Sequence, residues 1–499
     1  MLPKNRNLKS ASLMFITVFM ALLSLFRTKL LTYYFGATEI TDSFVIAWSI
    51  PVFFINLISG TLYLGLIPDF TKQFKKDVQG GYKVFWSTNN ITIVVSIFLI
   101  IVLFIFSGIL LKYFFNFSSS YQFLLARNQF IILLPTIIFM LLMTNFNSYF
   151  SINDRFFFPY LLQSFPLLFS IFGLFLNNYL HIYGLSIGIT IGNFFGLFIM
   201  YFIFIRNNQI SHYQRIIDFT HIKTQLYTII GLIFSQAALQ VVSIIDGIMA
   251  SYLEKGTLSI FFYSMRFNEM LFQGCLLTFI ITIYPILSKI IDEGKQLTEV
   301  YQNIIRKILI LSSIIMTCLL VIGRDVIKLL FISRKFQDAE INSTWIMLSI
   351  LSIGLFIMGW SAINQRMLIL FENYHFLAIL GIIQIFLKIA FNNYFIHRYQ
   401  LYGIGISTLI VNVIWLVVSY IYIWNKHQLN LSQKEWLKLV KVSIIAFCII
   451  ILTGLFRHFL LMNVSLLLRI TIMVVVIMFC YYIFFLKIEK IDLKILLHS

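Results

Sequence analysis

Charge is scarce in this chain of 499 residues. Asp, Glu, Lys and Arg together make up 11% of it, where a soluble protein would carry about a quarter. That deficit excludes an ordinary water-soluble domain. Carboxylates are scarcer still, 19 against 37 Lys plus Arg. Cysteine is nearly absent: Cys275, Cys318, Cys448 and Cys480 all fall in apolar stretches without metal-ligand spacing, so they read as small apolar fillers. No GxxxxGK[ST] loop occurs, which argues against ATP hydrolysis by the chain itself. The polar stretches between apolar runs reach at most roughly 25 residues, too few for a soluble catalytic domain. Neither an enzyme, nor a metal, nor a bound cofactor is expected. Strand-like alternation is missing as well, which excludes an outer-membrane barrel.

What is present is apolar: 60% of residues are hydrophobic and the mean hydropathy is +0.92. The hydrophobic residues gather in runs of roughly 20, each able to cross ~30 Å of hydrocarbon as a helix. The runs predict helices near 11–35, 42–67, 88–111, 125–149, 157–177 and 183–205. A second series is predicted near 224–250, 258–285, 304–331, 343–370, 374–395 and 401–424, with two more near 437–457 and 464–486. The fold class is therefore all-α integral membrane, with about fourteen transmembrane helices. The opening MLPKNRNLKS before an apolar run resembles a signal peptide, but the run is long and no small-residue cleavage site follows. It reads as the first retained helix.

Lys and Arg set the orientation. With a cytoplasmic N-terminus, 23 of the 37 fall on the cytoplasmic side, 9 on the other and 5 inside helices. The bias predicts that both termini are cytoplasmic. One outer loop, with Arg324, Lys328, Arg334 and Lys335, runs against it. The net charge of +18 follows largely from this distribution. Membrane lipid headgroups, rather than nucleic acid, are the expected partners of that charge.

The chain also matches itself at an offset near 217. LGLIPDFTK (64–72) parallels ITIYPILSK (281–289), LLKYFF (110–115) parallels VIKLLF (326–331), and NNY at 177–179 returns at 392–394. Tyr183-Gly184 with Asn193 and Tyr201 returns as Tyr402-Gly403 with Asn412 and Tyr420. An even number of helices per repeat preserves orientation, so the repeats are parallel about an axis normal to the membrane. The expected organisation is a six-helix lobe in 1–210, a second in 211–428, and two additional helices with a tail in 429–499.

Ionisable residues inside helices are functional candidates by default, because each is costly unless paired or hydrated. Arg27 in the first helix and Arg266 in the eighth are too deep to reach water easily. Belonging to opposite lobes, they could face each other and grip a diphosphate bidentately. The plainer alternative is that each pairs with a nearby carboxylate; Glu269 stands three residues after Arg266. Asp246 and Lys388 are the next set, read either as an ion-coupling site or as an internal ion pair in which a fixed ammonium replaces a bound cation. Lys29 and Arg469 lie nearer helix ends and are expected to snorkel. Asp42 opens the second helix and could serve as its N-cap in TEITDSF (38–44).

LFRTKLLTYYFGATEITDSFVIAWSIP (25–51) and IDGIMASYLEKGTLSIFFYSMRFNEM (245–270), with YPILSK (284–289) and more faintly QRMLILFEN (365–373), resemble signature stretches of the MurJ/MviN family of lipid II flippases. The family belongs to the multidrug/oligosaccharidyl-lipid/polysaccharide exporter superfamily. The resemblance spans about twelve helices. It implies two six-helix lobes plus two further helices, movement of an undecaprenyl-diphosphate-linked peptidoglycan precursor to the outer leaflet, and cavity positions for Arg27, Asp42, Arg266 and Glu269. It also implies a sodium site in some members, here at Asp246, Asn392 and Thr408 with Lys388 where an asparagine is usual. Ala21, Thr28, Ile55 and Ser59 stand where members often carry charge.

The expected function is thus a flippase for a lipid-linked diphosphate glycan, driven by membrane potential or a monovalent cation and working beside other cell-envelope synthesis proteins. Another lipid-linked oligosaccharide (O-antigen, capsule or exopolysaccharide) is the nearest alternative. A drug/cation antiporter would want carboxylates in the cavity, and a non-transporting envelope scaffold would use its buried charges only structurally.

Overall fold

The computed structural model describes residues 5–153, 155, 157–208, 237, 240–277, 297–371, 373–461 and 464–484. Among these residues, twelve helices are long and apolar enough to cross a membrane. Six precede residue 209 and six follow residue 296. Between them, the predicted seventh helix is described over Gln240–Ala250. The eighth is described over Thr257–Leu271 and a π-helical turn, Phe272–Leu277. The rest of both, with the repeat segment 281–289 and YPILSK, lies outside the described residues. The spans thus fall where a fourteen-helix layout puts them.

The helices before the gap are α1 Asn5–Phe35, α2 Glu39–Lys76, α3 Val78–Ile105, α4 Ser107–Phe114, α5 Ser120–Leu133, α6 Thr136–Ile152, α7 Phe157–Leu162, α8 Phe165–Phe175, α9 Asn177–Leu180 and α10 Tyr183–Asn208. After it come α11 Gln240–Ala250, α12 Thr257–Leu271, α13 Leu297–Phe331, α14 Asp338–Leu370, α15 Tyr374–Tyr399, α16 Leu401–His427, α17 Gln433–Leu460 and α18 Leu466–Phe484. Several predicted spans are divided. Pro135 separates α5 from α6, and Pro166 follows the break between α7 and α8; proline has no N–H to continue the helical ladder.

The chain forms two compact units, one of residues 1–262 with 375–392 and one of 263–374 with 393–499. These do not follow the segment boundaries at 210 and 428. Asp42 binds the turn before α12 and Lys388 binds Asp246, which draws α11, the start of α12 and most of α15 into the first unit.

In the first unit α10 lies tightly on α8. A Cβ at Gly184, Gly188 or Gly192 would overlap backbone of Gly173, Phe169 or Pro166, so the four-residue glycine spacing lets two backbones approach as small-residue faces do in membranes. Buried amides add polar ties. Gln129 Nε2 donates to Ser43 Oγ at 2.8 Å while Ser186 Oγ donates to Gln129 Oε1 at 3.2 Å, joining α5 to α2 and α10. Asn145 Nδ2 donates to Asn89 Oδ1 at 3.2 Å and to Thr92 Oγ1 at 2.9 Å.

In the second unit the corresponding amide is Asn364. It accepts from Tyr301 Oη at 2.7 Å and donates to Ser419 Oγ at 3.0 Å. Asn145 and Asn364 are both fully buried.

Other repeat positions agree. Leu111 and Phe115 are buried like Ile327 and Phe331. His181 and Gln400, just ahead of the two Tyr-Gly pairs, have φ of 48° and 47°. The turns after α1 and α11 carry glycines with positive φ, Gly36 at 68° and Gly256 at 82°. Gly256 is doubly constrained, because a Cβ there would also run into the Ala37 carbonyl. Gly256→Ala is expected to cost at least about 1–2 kcal/mol from the backbone term alone, read as a lower apparent Tm in detergent. An unchanged Tm would mean the turn relaxes freely.

Candidate functional site

Three turns meet around Glu39 and Asp42. Thr38 occupies the N-cap position of α2, so Asp42 does not cap its own helix. It sits one turn further in, 4% exposed, and serves a different helix. Its carboxylate accepts from Gly256 N at 2.7 Å, from Ser259 N at 2.8 Å and from the Ser259 hydroxyl. These are the groups left without intrahelical partners at the start of α12, and a carboxylate also suits the positive end of the helix dipole. Glu39 Oε2 accepts from Ser118 Oγ at 3.2 Å, Ser119 Oγ at 3.1 Å and Lys255 Nζ at 3.1 Å. Lys255 is largely exposed, so that ion pair is worth no more than about 1 kcal/mol. The carboxylate of Asp42, buried and met by three donors, is the stronger tie.

Deeper in the first unit, Lys388 Nζ lies 3.0 Å from Asp246 Oδ1, and Asn392 Nδ2 donates to the same oxygen at 2.8 Å. The lysine side chain is 0% and the aspartate 5% exposed. Of the four residues read as an ion-coupling site or internal ion pair, the structure brings Asp246, Lys388 and Asn392 together. Thr408 belongs to the second unit, where its hydroxyl donates to the Ile404 carbonyl at 2.8 Å.

Arg27 is half-buried on α1 in the first unit. Arg266, in the second, has NH1 3.3 Å from Glu269 Oε2, the two side chains 36% and 40% exposed. The helical spacing that suggested this pair does place the groups together.

A further charge cluster was not singled out from the sequence. Asp325 on α13 receives Arg457 of α17 in bidentate fashion, Nε at 2.9 Å and NH2 at 3.0 Å, and Arg469 NH1 of α18 stands at 3.6 Å. Arg469 is therefore a partner of a buried carboxylate and does not simply snorkel; its NH2 also donates to the Val464 carbonyl at 3.0 Å. Arg457 and Arg469 flank the short turn between α17 and α18, a signal available in the sequence. The basic segment that ran against the charge bias is partly neutralised in the same region, with Asp338 Oδ1 2.9 Å from Lys328 Nζ and 3.7 Å from Arg324 NH2.

Comparison with known proteins gives one consistent answer. The family described as lipid II flippase MurJ matches residues 31–475. A probable lipid II flippase MurJ of Buchnera aphidicola subsp. Schizaphis graminum is 25% identical over 455 residues, covering 86% of this chain and 85% of the relative. Among solved structures, a lipid II flippase MurJ in an inward closed conformation superposes with a TM-score of 0.81 at 22% identity, covering 94% of this chain and 98% of that one. A multidrug resistance MATE family transporter of the MOP superfamily, in an inward-facing conformation, shares the fold at a TM-score of 0.69 and 13% identity, with coverage of 86% and 99%. The family match runs from the end of α1 to the middle of α18, and the chain belongs to the MurJ family of lipid II flippases.

Proposed function

We propose that this chain moves lipid II, an undecaprenyl-diphosphate-linked sugar precursor, from the cytoplasmic to the outer leaflet by alternating access, for peptidoglycan synthesis. The observation that carries the reading is the family match over residues 31–475. The positive-inside bias supports an inner-membrane placement with both termini cytoplasmic.

Arg27 and Arg266 are the residues proposed to receive the diphosphate. The Arg266–Glu269 pair is more than a third exposed, so it is held by about 1 kcal/mol or less. A diphosphate offering bidentate, charge-assisted hydrogen bonds can replace that carboxylate at little cost. Asp246 and Lys388 behave oppositely. Their pair is buried, and separating it would strand a charge at a cost of several kcal/mol. We assign it as a fixed internal ion pair, with the ammonium standing where a coupling cation would otherwise be needed. Transport then runs on the membrane potential, which favours export of anionic charge by about 2.3 kcal/mol per charge per 100 mV.

The Asp42 contacts with Gly256 and Ser259 supply one element of the cycle. They tie the first hairpin of one repeat to the first hairpin of the other, and alternating access requires such ties to open and re-form. A second reading, a different undecaprenyl-linked glycan, is favoured by Ala21, Thr28, Ile55 and Ser59, which leave fewer charges than the family usually carries.

Complementation of a lipid II flippase depletion strain tests both. Wild-type protein is expected to restore growth, and Arg27→Ala with Arg266→Ala to abolish rescue at unchanged membrane abundance. Failure of the well-expressed wild type would transfer the proposal to another glycan. Full rescue by the double variant would remove the arginines from the mechanism.

A further inference from the structure

We propose that the first unit holds a separate subsite for the uncharged sugar portion of the lipid-linked substrate, in a cavity walled by α1, α2, α6, α7, α8 and α10. The inference rests on the flippase reading and specifies which part of the headgroup is recognised there. The cavity measures about 480 Å³, within the range of roughly 300–1,000 Å³ common for small-molecule sites.

Its polar wall includes Ser59, Thr144, Asn147, Ser151, Gln163 and Asn193, and none of the described residues lining it is charged. Thr144, Asn147 and Ser151 follow one another at spacings of three and four, so α6 presents them on one face. Met20, Met140 and Met143 add apolar, adaptable side chains to the lining. Hydroxyls and amides set among apolar atoms match a hexosamine, whose hydroxyl and acetamido groups project from an apolar ring. They do not match a phosphate, which would meet no cation there.

Two observations point to a ligand. Asn147 Oδ1 is buried and has no hydrogen-bond partner among the described residues, whereas buried amide oxygens are nearly always satisfied. The oxygen is covered in this conformation, so the Asn147 side chain turns toward the cavity before a sugar hydroxyl or acetamido N–H donates to it. The wall is also interrupted beside Gln163: α7 ends at Leu162 and α8 begins at Phe165. Pro166, itself part of the lining, has no N–H to return to the Leu162 carbonyl. Broken helices lining a cavity are a recurrent feature of transporter substrate sites.

Placement agrees with the proposed phosphate position. Met20 and Arg27 are seven residues apart on α1, hence on one face and separated by a rise of roughly 10 Å. A diphosphate at Arg27 leaves its attached sugar within reach of the cavity.

The test uses the purified full-length protein in lipid nanodiscs, titrated with lipid II and, separately, with undecaprenyl diphosphate, binding being followed by native mass spectrometry. Wild type is expected to bind lipid II more tightly than undecaprenyl diphosphate. Asn147→Leu should weaken lipid II binding about tenfold, equivalent to ~1.4 kcal/mol, with undecaprenyl diphosphate unaffected. Thr144→Val preserves side-chain shape and should shift the same ratio in the same direction, so it decides the matter if Asn147→Leu does not fold. Equal losses for both ligands, no loss for either, or equal affinities in the wild type would overturn the sugar subsite while leaving the flippase reading intact. A wild type that binds neither ligand would remove both.

Discussion

Lys388→Ala is expected to destabilise the protein by about 3–5 kcal/mol, because it leaves the Asp246 carboxylate buried without its cation. The geometry sets the size of the effect. Lys388 Nζ is 3.0 Å from Asp246 Oδ1 and its side chain is 0% exposed, so water cannot substitute for the lost partner. Asn392 still donates to that oxygen, but a neutral amide does not balance a charge. Asp246→Ala should be equally damaging for the mirror reason. The double variant Asp246→Leu with Lys388→Met removes both charges and should regain most of the loss, since apolar replacement of a whole buried pair is often close to neutral. Exchange of the two, Asp246→Lys with Lys388→Asp, should likewise recover stability relative to either single variant. Apparent Tm in detergent reads stability and growth of the depletion strain reads transport. A stable double variant that fails to support growth would give the pair a part in ion coupling. Failure of both double variants to regain stability would exclude mutual pairing as the reason these residues are tolerated in the membrane.

Asp325→Ala carries the second large expectation, a loss again of about 3–5 kcal/mol. Here one carboxylate, 4% exposed, faces two guanidiniums that are 23% and 20% exposed. Its removal leaves two cations in a largely apolar setting with no anion between them. The bidentate contact from Arg457 joins α17 to α13, and Arg469 adds α18, so the damage should concentrate in the last two helices. Hydrogen–deuterium exchange should rise in α17 and α18 and remain as in wild type in α1 to α10. Asp325→Asn keeps the shape and some hydrogen bonding, and should fall between wild type and alanine. Exchange unchanged throughout would show that apolar packing alone holds α17 and α18 in place.

These two clusters differ in how far the sequence announced them. Lys388 stands in the middle of an apolar run, where a lysine demands a counter-ion, and Asp246 was the natural partner. Asp325 and Arg457 lie close to helix ends, where a charge has the cheap alternative of reaching water. Nothing in composition says that Asp325 turns inward. Asp42 presents a third case. Its capping chemistry was legible from TEITDSF, yet the helix it caps lies more than two hundred residues away. Local sequence ranks capping residues well, but it cannot say which helix end will be adjacent in space.

The sequence by itself determined the membrane class, the order of the spans and the parallel repeat, which follow from run length against bilayer thickness and from motifs at fixed offset. Its stretches 25–51 and 245–270 carried the family through their resemblance to signature segments. Tertiary structure alone decided the partners of the charges and the shape of the space between helices. Arg469 turned from a snorkelling residue into a ligand of Asp325, Asp42 from a cap of its own helix into a cap of α12, and Ser59 and Asn147 became walls of one cavity. The physical reason is that burying an ion or an amide depends on what stands within about 3 Å of it, and packing, rather than sequence separation, sets that distance.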